Sequence, residues 1–389
     1  MSAVLLKWTL TDAPGAADID GLILGFAGML LAQGIPVSRM NLPLWVRHPL
    51  VRVAGWLWTK TTATPDAAQV QHFSVTEVTL KWKQMYQNSP FPLVIEHGAT
   101  FVRRRLADEN CPMDFAILTD LRTAGVTDYL VLGGTIRRGD PVAMTFATDT
   151  PDGFSDEHVA ALVEALPALL LHVDLRLGQE LTEIICATYL GPRTGARVAA
   201  GSLRRGEVQH IDAVIGFCDL RGFTALSALR TPEEVTVLLN VWFDAINKQV
   251  HATGGEILKF IGDAALVIWP GNSRAVCMQA LEAATTLPQV LPPGVEGGFA
   301  IHLGEVAYGN IGAEDRLDFT VIGAAVNIAS RLEGLCGKLG VPWLVSDAVA
   351  GEVDGKLTDL GLHALKGIDG PMRVWGPPFT AAPKTHESS

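Results

Sequence analysis

Two aspartates, each closing an apolar run, constrain this chain more than any other feature. Residues 212–219 read Asp-Ala-Val-Ile-Gly-Phe-Cys-Asp, a buried strand that ends on Asp219. Leu220-Arg221-Gly222-Phe223-Thr224 then turns into a helix. Backbone N–H groups and the helix dipole at such a turn, beside a hard carboxylate oxygen, suit a metal-bound polyphosphate. A buried Asp that only caps the next helix explains the pattern about as well. Asp263 follows 44 residues later, in Gly262-Asp263, with apolar runs on both sides between Gly254 and Trp269. That arrangement predicts a hairpin with a tight two-residue turn, in which Asp263 is at least the turn residue. Two carboxylates meeting across neighbouring strands can hold a pair of Mg²⁺ ions for in-line attack on phosphorus.

A third element runs from Arg316 to Glu333, where a strand reaches Gly323 and a helix follows. Asn327 and Arg331 are four apart and share one helix face. Alone, that is what any wet helix face carries. Together, the three elements resemble the catalytic domain of class III adenylate and guanylate cyclases. The resemblance rests on Phe217 to Thr224, on the Gly254 to Asp263 hairpin and on Thr320 to Arg331, in that order. It covers nearly all of Ile211 to Trp375.

The resemblance implies a ferredoxin-like α/β palm that works as a homodimer with active sites at the interface. Asp219 and Asp263 fall on the metal-binding aspartates, and the backbone carbonyl of Leu220 on an additional ligand, for two Mg²⁺ or Mn²⁺ ions per active site. Lys259 and Thr320 fall on the base-selecting pair. Lysine with Asp or Thr marks adenylate cyclases, whereas guanylate cyclases place Glu with Cys or a similar residue. Lys259 can donate to adenine N1 and the Thr320 hydroxyl can accept from the N6 amino group. Asp318 is the neighbouring alternative, but counting back seven from Asn327 gives Thr320, as in the subgroup called class IIIb. Asn327 and Arg331 fall on the pair that steadies the ribose and the transition-state phosphate. Phe223 and Thr224 fall at substrate-binding positions, and Lys366, in Leu365-Lys366-Gly367-Ile368, on a triphosphate-binding lysine. The implied reaction is attack of the ribose 3′-oxygen of ATP on the α-phosphorus, giving 3′,5′-cyclic AMP and pyrophosphate. Each site would take its acids from one chain and Lys259, Thr320, Asn327 and Arg331 from the other. Two readings compete. Lys259 argues against a guanylate cyclase, and the presence of Asp219, Asp263, Asn327 and Arg331 argues against a catalytically silent sensor or dimerisation module.

Composition narrows the remainder. Thirty Lys+Arg against 41 Asp+Glu give a net charge of −11, which argues against non-specific binding to nucleic acid or anionic lipid. Five widely spaced cysteines form neither a disulfide framework nor a zinc set and fit a reducing cytoplasm. The mean hydropathy of +0.27 makes a membrane segment worth testing. The longest uncharged run, Gly21 to Ser38, is broken by glycines and Pro36, so it reads as a buried helix rather than a span. No signal peptide is indicated at the N-terminus.

Residues 1–190 read as one mixed α/β domain, 191–210 as a Gly- and Arg-rich connector, 211–376 as the catalytic domain and 377–389 as a disordered tail. In the first domain Asp18 to Gln33 and Asp114 to Ala124 have helical period, and Phe73–Lys81, Pro92–Glu96, Tyr129–Ile136 and Pro141–Thr148 read as strands. Ser155 caps a long helix, which Pro167 is expected to kink or split. The strand into Thr148, the Pro151-Asp152-Gly153-Phe154 turn and the Ser155 helix resemble a GAF-type sensor domain, which implies regulation by an unknown small-molecule ligand. A structural or dimerising domain is the alternative. His48, His72 and His97 are more often structural than haem or metal ligands, and Trp45, Trp56, Trp58 and Trp82 read as core or interface before ligand stacking.

Overall fold

The computed structural model describes residues 1–46, 51–60, 70–136 and 139–378. They form two compact units, Met1–Ile185 and Cys186–Ser389. His48 and most of the expected tail lie outside the described residues.

The first unit holds α1 (Ser2–Thr11), α2 (Ile19–Ala32), β1 (Arg39–Trp45), β2 (Val53–Thr59), β3 (Val70–Val75), α3 (Leu80–Gln87), α4 (Phe91–Ile95), β4 (Phe101–Arg104), α5 (Ala116–Thr123), β5 (Asp128–Ile136) and β6 (Asp140–Thr148). The long α6 (Asp156–Leu190) begins here. Six strands form one antiparallel sheet in the order β3-β2-β1-β6-β5-β4. Apolar residues recur every three or four positions in α2 (Leu22, Phe26, Leu30) and α6 (Leu162, Leu166, Leu169, Val173), and pack on Met40, Leu42, Met144 and Phe146 of the sheet. Val94, Leu118 and Leu121 of α4 and α5 cover part of the other face, against Val102, Val131 and Ala143.

Three local expectations are corrected. The Phe73–Lys81 run is strand only to Val75; the Thr79 hydroxyl accepts from the Trp82 N–H at 3.2 Å and starts α3 instead. Pro92–Glu96 is the helix α4, with Pro92 in the first turn, where its missing N–H is harmless. Pro167 does not split α6, which stays one helix because its apolar face on both sides of the proline is held in one core. Ser155 does cap it, accepting from the His158 N–H at 3.1 Å. By length and composition α6 is apolar enough to cross a membrane, and 44% of its most apolar window is buried within the protein. Its Arg176 is buried and donates to the carbonyls of Ala13 and Ala16 at 2.7 Å each, which makes this stretch a core helix.

The second unit holds α7 (Pro192–Ala199), β7 (Val208–Leu220), α8 (Phe223–Ala228), α9 (Pro232–Ala252), β8 (Glu256–Ile261), β9 (Ala264–Pro270), α10 (Arg274–Val290), β10 (Gly297–Gly312), β11 (Leu317–Ile322), α11 (Ala324–Leu339), β12 (Trp343–Ser346), α12 (Asp347–Ala350), β13 (Thr358–Ala364) and β14 (Pro371–Gly376). Its sheet runs β13-β14-β12-β10-β7-β9-β8, with β11 paired to β10. The succession β7-α9-β8-β9-α10-β10 is a βαββαβ unit. Helices α9 and α10 bury one face, through Trp242, Ile246, Cys277 and Leu281. On the other face Ala325 and Ala329 of α11 lie against Ala213, Ile215, Leu266 and Ile268.

The expected 191–210 connector is not a bare link. Its α7 is capped by Glu256 of β8, whose buried carboxylate accepts from the N–H groups of Arg193 and Thr194 at 3.0 Å each. The Thr194 hydroxyl meets the Tyr308 hydroxyl at 2.7 Å. This stretch therefore belongs to the second unit, while Arg204 and Arg205 remain exposed.

Candidate active site

Alternation along β7 sets the site. Ala213, Ile215 and Asp219 share the face beneath α11, and the chain leaves the strand through Gly222, at φ +66°. Only a residue without a β-carbon takes that turn freely, so β7 passes directly into α8. The β7–β9 register places Cys218 opposite Ala265, which brings the Gly262-Asp263 turn of the β8–β9 hairpin beside Asp219. Trp242, fully buried in α9, holds the turn by donating its indole N–H to the Asp263 carbonyl at 2.8 Å.

The two carboxyls share a hydrogen bond. Burial, then that bond and the charge of Asp263, push the pKa of Asp219 up to about 6. Two acids held this close form a site short of positive charge. Hard oxygens from two side chains, with the Leu220 carbonyl adjoining, are the donor set that Mg²⁺ or Mn²⁺ takes. Among the described residues no group of three or more His, Cys, Asp or Glu is gathered as ligands, so a bound ion would complete its shell from substrate and water.

A third acid stands close by. Gly298 is the cross-strand partner of Asp219, and its missing side chain leaves room for the Glu333 carboxylate, with which a β-carbon there would clash. Burial and the charge of Asp219 raise the Glu333 pKa to about 7, with Arg221 opposing. Glu333 closes the Arg316 to Glu333 run. Six residues beyond Asn327, it lies off the Asn327–Arg331 face, so helix spacing gave no reason to select it.

At the far end of β8, the register with β9 slips between Ile257 and Lys259, leaving Leu258 bulged. A bulge re-aims the residue that follows it. The Lys259 ammonium reaches Asp318 of β11 at 3.1 Å. Thr320, two residues along the same strand face, is 5% exposed, and its hydroxyl has no hydrogen-bond partner. Behind it, the Arg197 guanidinium of α7 sits 5.2 Å from the ring centroids of both Tyr308 and Phe319. The structure thus pairs Lys259 with Asp318, and Thr320 follows two residues along the same strand.

Other expected residues stand apart. Asn327 and Arg331 are both exposed on α11. Phe223 packs partly into the core and Thr224 is exposed at the start of α8. Lys366 is exposed in the turn between β13 and β14, at the opposite edge of the sheet from β8.

The family model described as the adenylate and guanylate cyclase catalytic domain matches residues 207–370. Those residues are a cyclase catalytic domain. Such domains act on nucleotides, use divalent metal ions and form dimers. An adenylate cyclase of Anabaena cylindrica is 36% identical over 168 residues, covering 39% of this chain and 31% of that protein. Adenylate cyclase 1 of Rhizobium meliloti is 33% identical over 166 residues, 39% of this chain and 25% of that protein. The matched part thus spans about a third or less of these curated relatives. Among solved structures, the adenylyl cyclase CyaB from P. aeruginosa is 28% identical with a TM-score of 0.39, over 44% of this chain and 95% of that one. The guanylyl cyclase Cya2 is 26% identical with a TM-score of 0.36, over 43% of this chain and 92% of that one.

Proposed function

We propose that this chain is an adenylate cyclase that converts ATP to 3′,5′-cyclic AMP and pyrophosphate at the interface of a homodimer. The observation that carries the adenine reading is the buried, unpartnered Thr320 hydroxyl, two residues along β11 from Asp318, which the Lys259 ammonium meets. Adenine offers an acceptor at N1 and a donor at N6, the complement of that pair. Guanine presents an N–H at N1, so the lysine would face a donor and a buried polar contact would be lost. Asp318 holds the lysine in place while two of its N–H donors stay available.

Asp219 and Asp263 would bind two divalent ions, which when present supply Lewis-acid polarisation and offset charge on the phosphates. Arg331 neutralises charge developing on the phosphoryl oxygens and Asn327 orients the ribose. The 3′-oxygen bonds to the α-phosphorus, and the bond to the β,γ-pyrophosphate breaks. Phe223 and Thr224 contact substrate at the start of α8, and Lys366 reaches the triphosphate.

The exposure of Asn327 and Arg331 supports completion of each site by a second chain. So does an apolar seam on α6, where Leu171, Leu175, Ile185 and Tyr189 are 71%, 58%, 40% and 76% exposed. With Gly178 and Thr182 these positions step by four and three, the spacing of a two-helix seam. The first unit we read as a GAF-like regulatory domain, on its antiparallel sheet and capped α6, and the enzyme as cytoplasmic, where ATP is available.

Cyclic nucleotide production by the full chain from ATP and from GTP, with Mn²⁺ or Mg²⁺ and Asp263→Ala as control, tests this. Cyclic AMP that disappears in the variant is the expected result. Preferential cyclic GMP would overturn the base assignment, and no product from either nucleotide would leave the silent-module reading.

A further inference from the structure

The first unit contains a cavity of about 500 Å³ on the sheet face opposite α2 and α6. Alternation in β1 creates its floor. Met40 and Leu42 point into the core beneath α2, so Arg39 and Asn41 point the other way and line the cavity. Its wall is α3, a helix that carries Trp82, Met85 and Tyr86 yet has no buried residue. Trp82 and Tyr86, four apart, stack at 5.6 Å and 7°, and Trp45 meets Trp82 edge-on at 5.1 Å. These aromatic surfaces face a space of the size that takes a small organic molecule.

Among the described residues, one polar group at the floor lacks a partner and another lacks a carboxylate. The Asn41 side-chain oxygen is shielded from solvent and accepts no hydrogen bond. No carboxylate pairs with Arg39 among the described residues. A solvent-shielded acceptor left unmade is costly, and a ligand N–H would satisfy it. We propose that this cavity is a binding site for a planar aromatic acid of about two fused rings that also carries an N–H donor. The rings lie against Trp82 and Tyr86, the acid meets Arg39 and the N–H donates to Asn41. The site stands on the first unit alone and does not depend on the cyclase reading.

Isothermal titration of the full chain with indole-3-acetate tests it, beside the neutral indole-3-acetamide and the donor-less 1-methylindole-3-acetate. One saturable site per chain is expected, with each analogue about tenfold weaker. Arg39→Gln should remove the preference for the acid over the amide, and Asn41→Ala the preference for N–H over N-methyl. Ala116→Phe, on the exposed side of α5 at the rim, should fill the cavity and abolish binding. Melting curves check that each variant folds, and the three ligands on the unaltered chain decide the question even where a variant does not. No saturable binding up to about 1 mM would overturn the site. Equal affinity for all three ligands would overturn the acid and donor assignments.

Discussion

The first unit answers its buried charge, and the second does so at Glu256 but not at the candidate active site. In the first, Asp128 is 1% exposed and fully answered: Arg103 donates to it at 2.7 Å and the Phe154 N–H at 3.0 Å. Arg176 is answered by backbone carbonyls in the same way. In the second, Asp219, Asp263 and Glu333 crowd together, with Arg221 opposing at Glu333 and the Leu220 N–H at Asp219, and the Thr320 hydroxyl is buried with nothing to bond. A fold that satisfies its charges internally is using them as scaffold. One that leaves like charges facing each other is holding a place for a ligand.

Matched substitutions can break that comparison. Asp263→Ala should cut cyclic AMP formation on the order of a thousandfold. It should also leave the metal-free melting temperature of the catalytic unit unchanged or higher, because a repulsion is removed. Asp128→Ala should do the reverse, costing about 3 kcal/mol of stability while turnover below the melting transition persists. A falling melting temperature in the first variant, or a neutral one in the second, contradicts the assignment of roles. Mixing Asp263→Ala with Asn327→Ala chains should restore one good site per heterodimer. No recovery, with chain exchange verified, would sink the shared site.

Next in size is base choice. Lys259→Glu puts an acceptor where adenine also presents an acceptor, and places a second carboxylate 3.1 Å-scale close to Asp318, the present partner of the lysine. Steady-state kinetics should show kcat/KM for ATP falling about a hundredfold, with the smaller loss for GTP. Equal losses on both nucleotides would mean that Lys259 supports the hairpin rather than the base.

Legibility in the sequence followed the same division. The acid pair and the α11 face were readable because strand ends, a hairpin turn and four-residue spacing are local patterns, whereas Lys259 and Thr320 came only from the family resemblance. Trp242, Glu256 and Glu333 were not, since each acts on a residue distant in sequence: the Asp263 carbonyl, the start of α7 and the space above Gly298. In the first unit the errors at Pro92 and Pro167 had one cause. Proline is judged by local rules, whereas first-turn placement and packing along α6 decided the outcome. The four tryptophans divided too. Trp56 and Trp58 are core at 8% and 3% exposure, while Trp45 and Trp82 line the cavity.

The pKa of Asp219 gives a sharper test of the crowded acids. Raised from 3.8 to about 6, it means that the folded chain holds this proton more tightly than the unfolded chain does. Ionising Asp219 therefore costs stability as pH rises above 3.8, and the cost is complete above about 6. A divalent ion must displace that proton, so Mn²⁺ affinity should rise about tenfold per pH unit below 6 and flatten above it. Titrating Mn²⁺ against melting temperature on both sides of that pH reads the effect. Asp219→Asn should remove most of the metal stabilisation and gain stability over the parent at neutral pH but not near pH 4. A pH-independent metal response would show that Asp219 is not held protonated by its neighbours.

The smallest effect concerns an apolar face of the scaffold that no other element among the described residues covers. Thr182 lies in the exposed α6 seam with Leu171, Leu175, Ile185 and Tyr189, and its hydroxyl is returned to the Gly178 carbonyl at 2.8 Å, so no partner chain is needed to satisfy it. Thr182→Leu adds apolar surface to the seam without removing a needed contact. If a second copy covers that face, burying the new side chain should tighten the dimer about fivefold, equivalent to roughly 1 kcal/mol. Sedimentation across a dilution series reads the dissociation constant directly, and cyclic AMP formation should persist to correspondingly lower protein concentration. If the seam faces solvent in the working enzyme, the dissociation constant will not move. The unsatisfied apolar face of α6 would then have to be explained by another occupant, and dimerisation would rest on the catalytic unit alone.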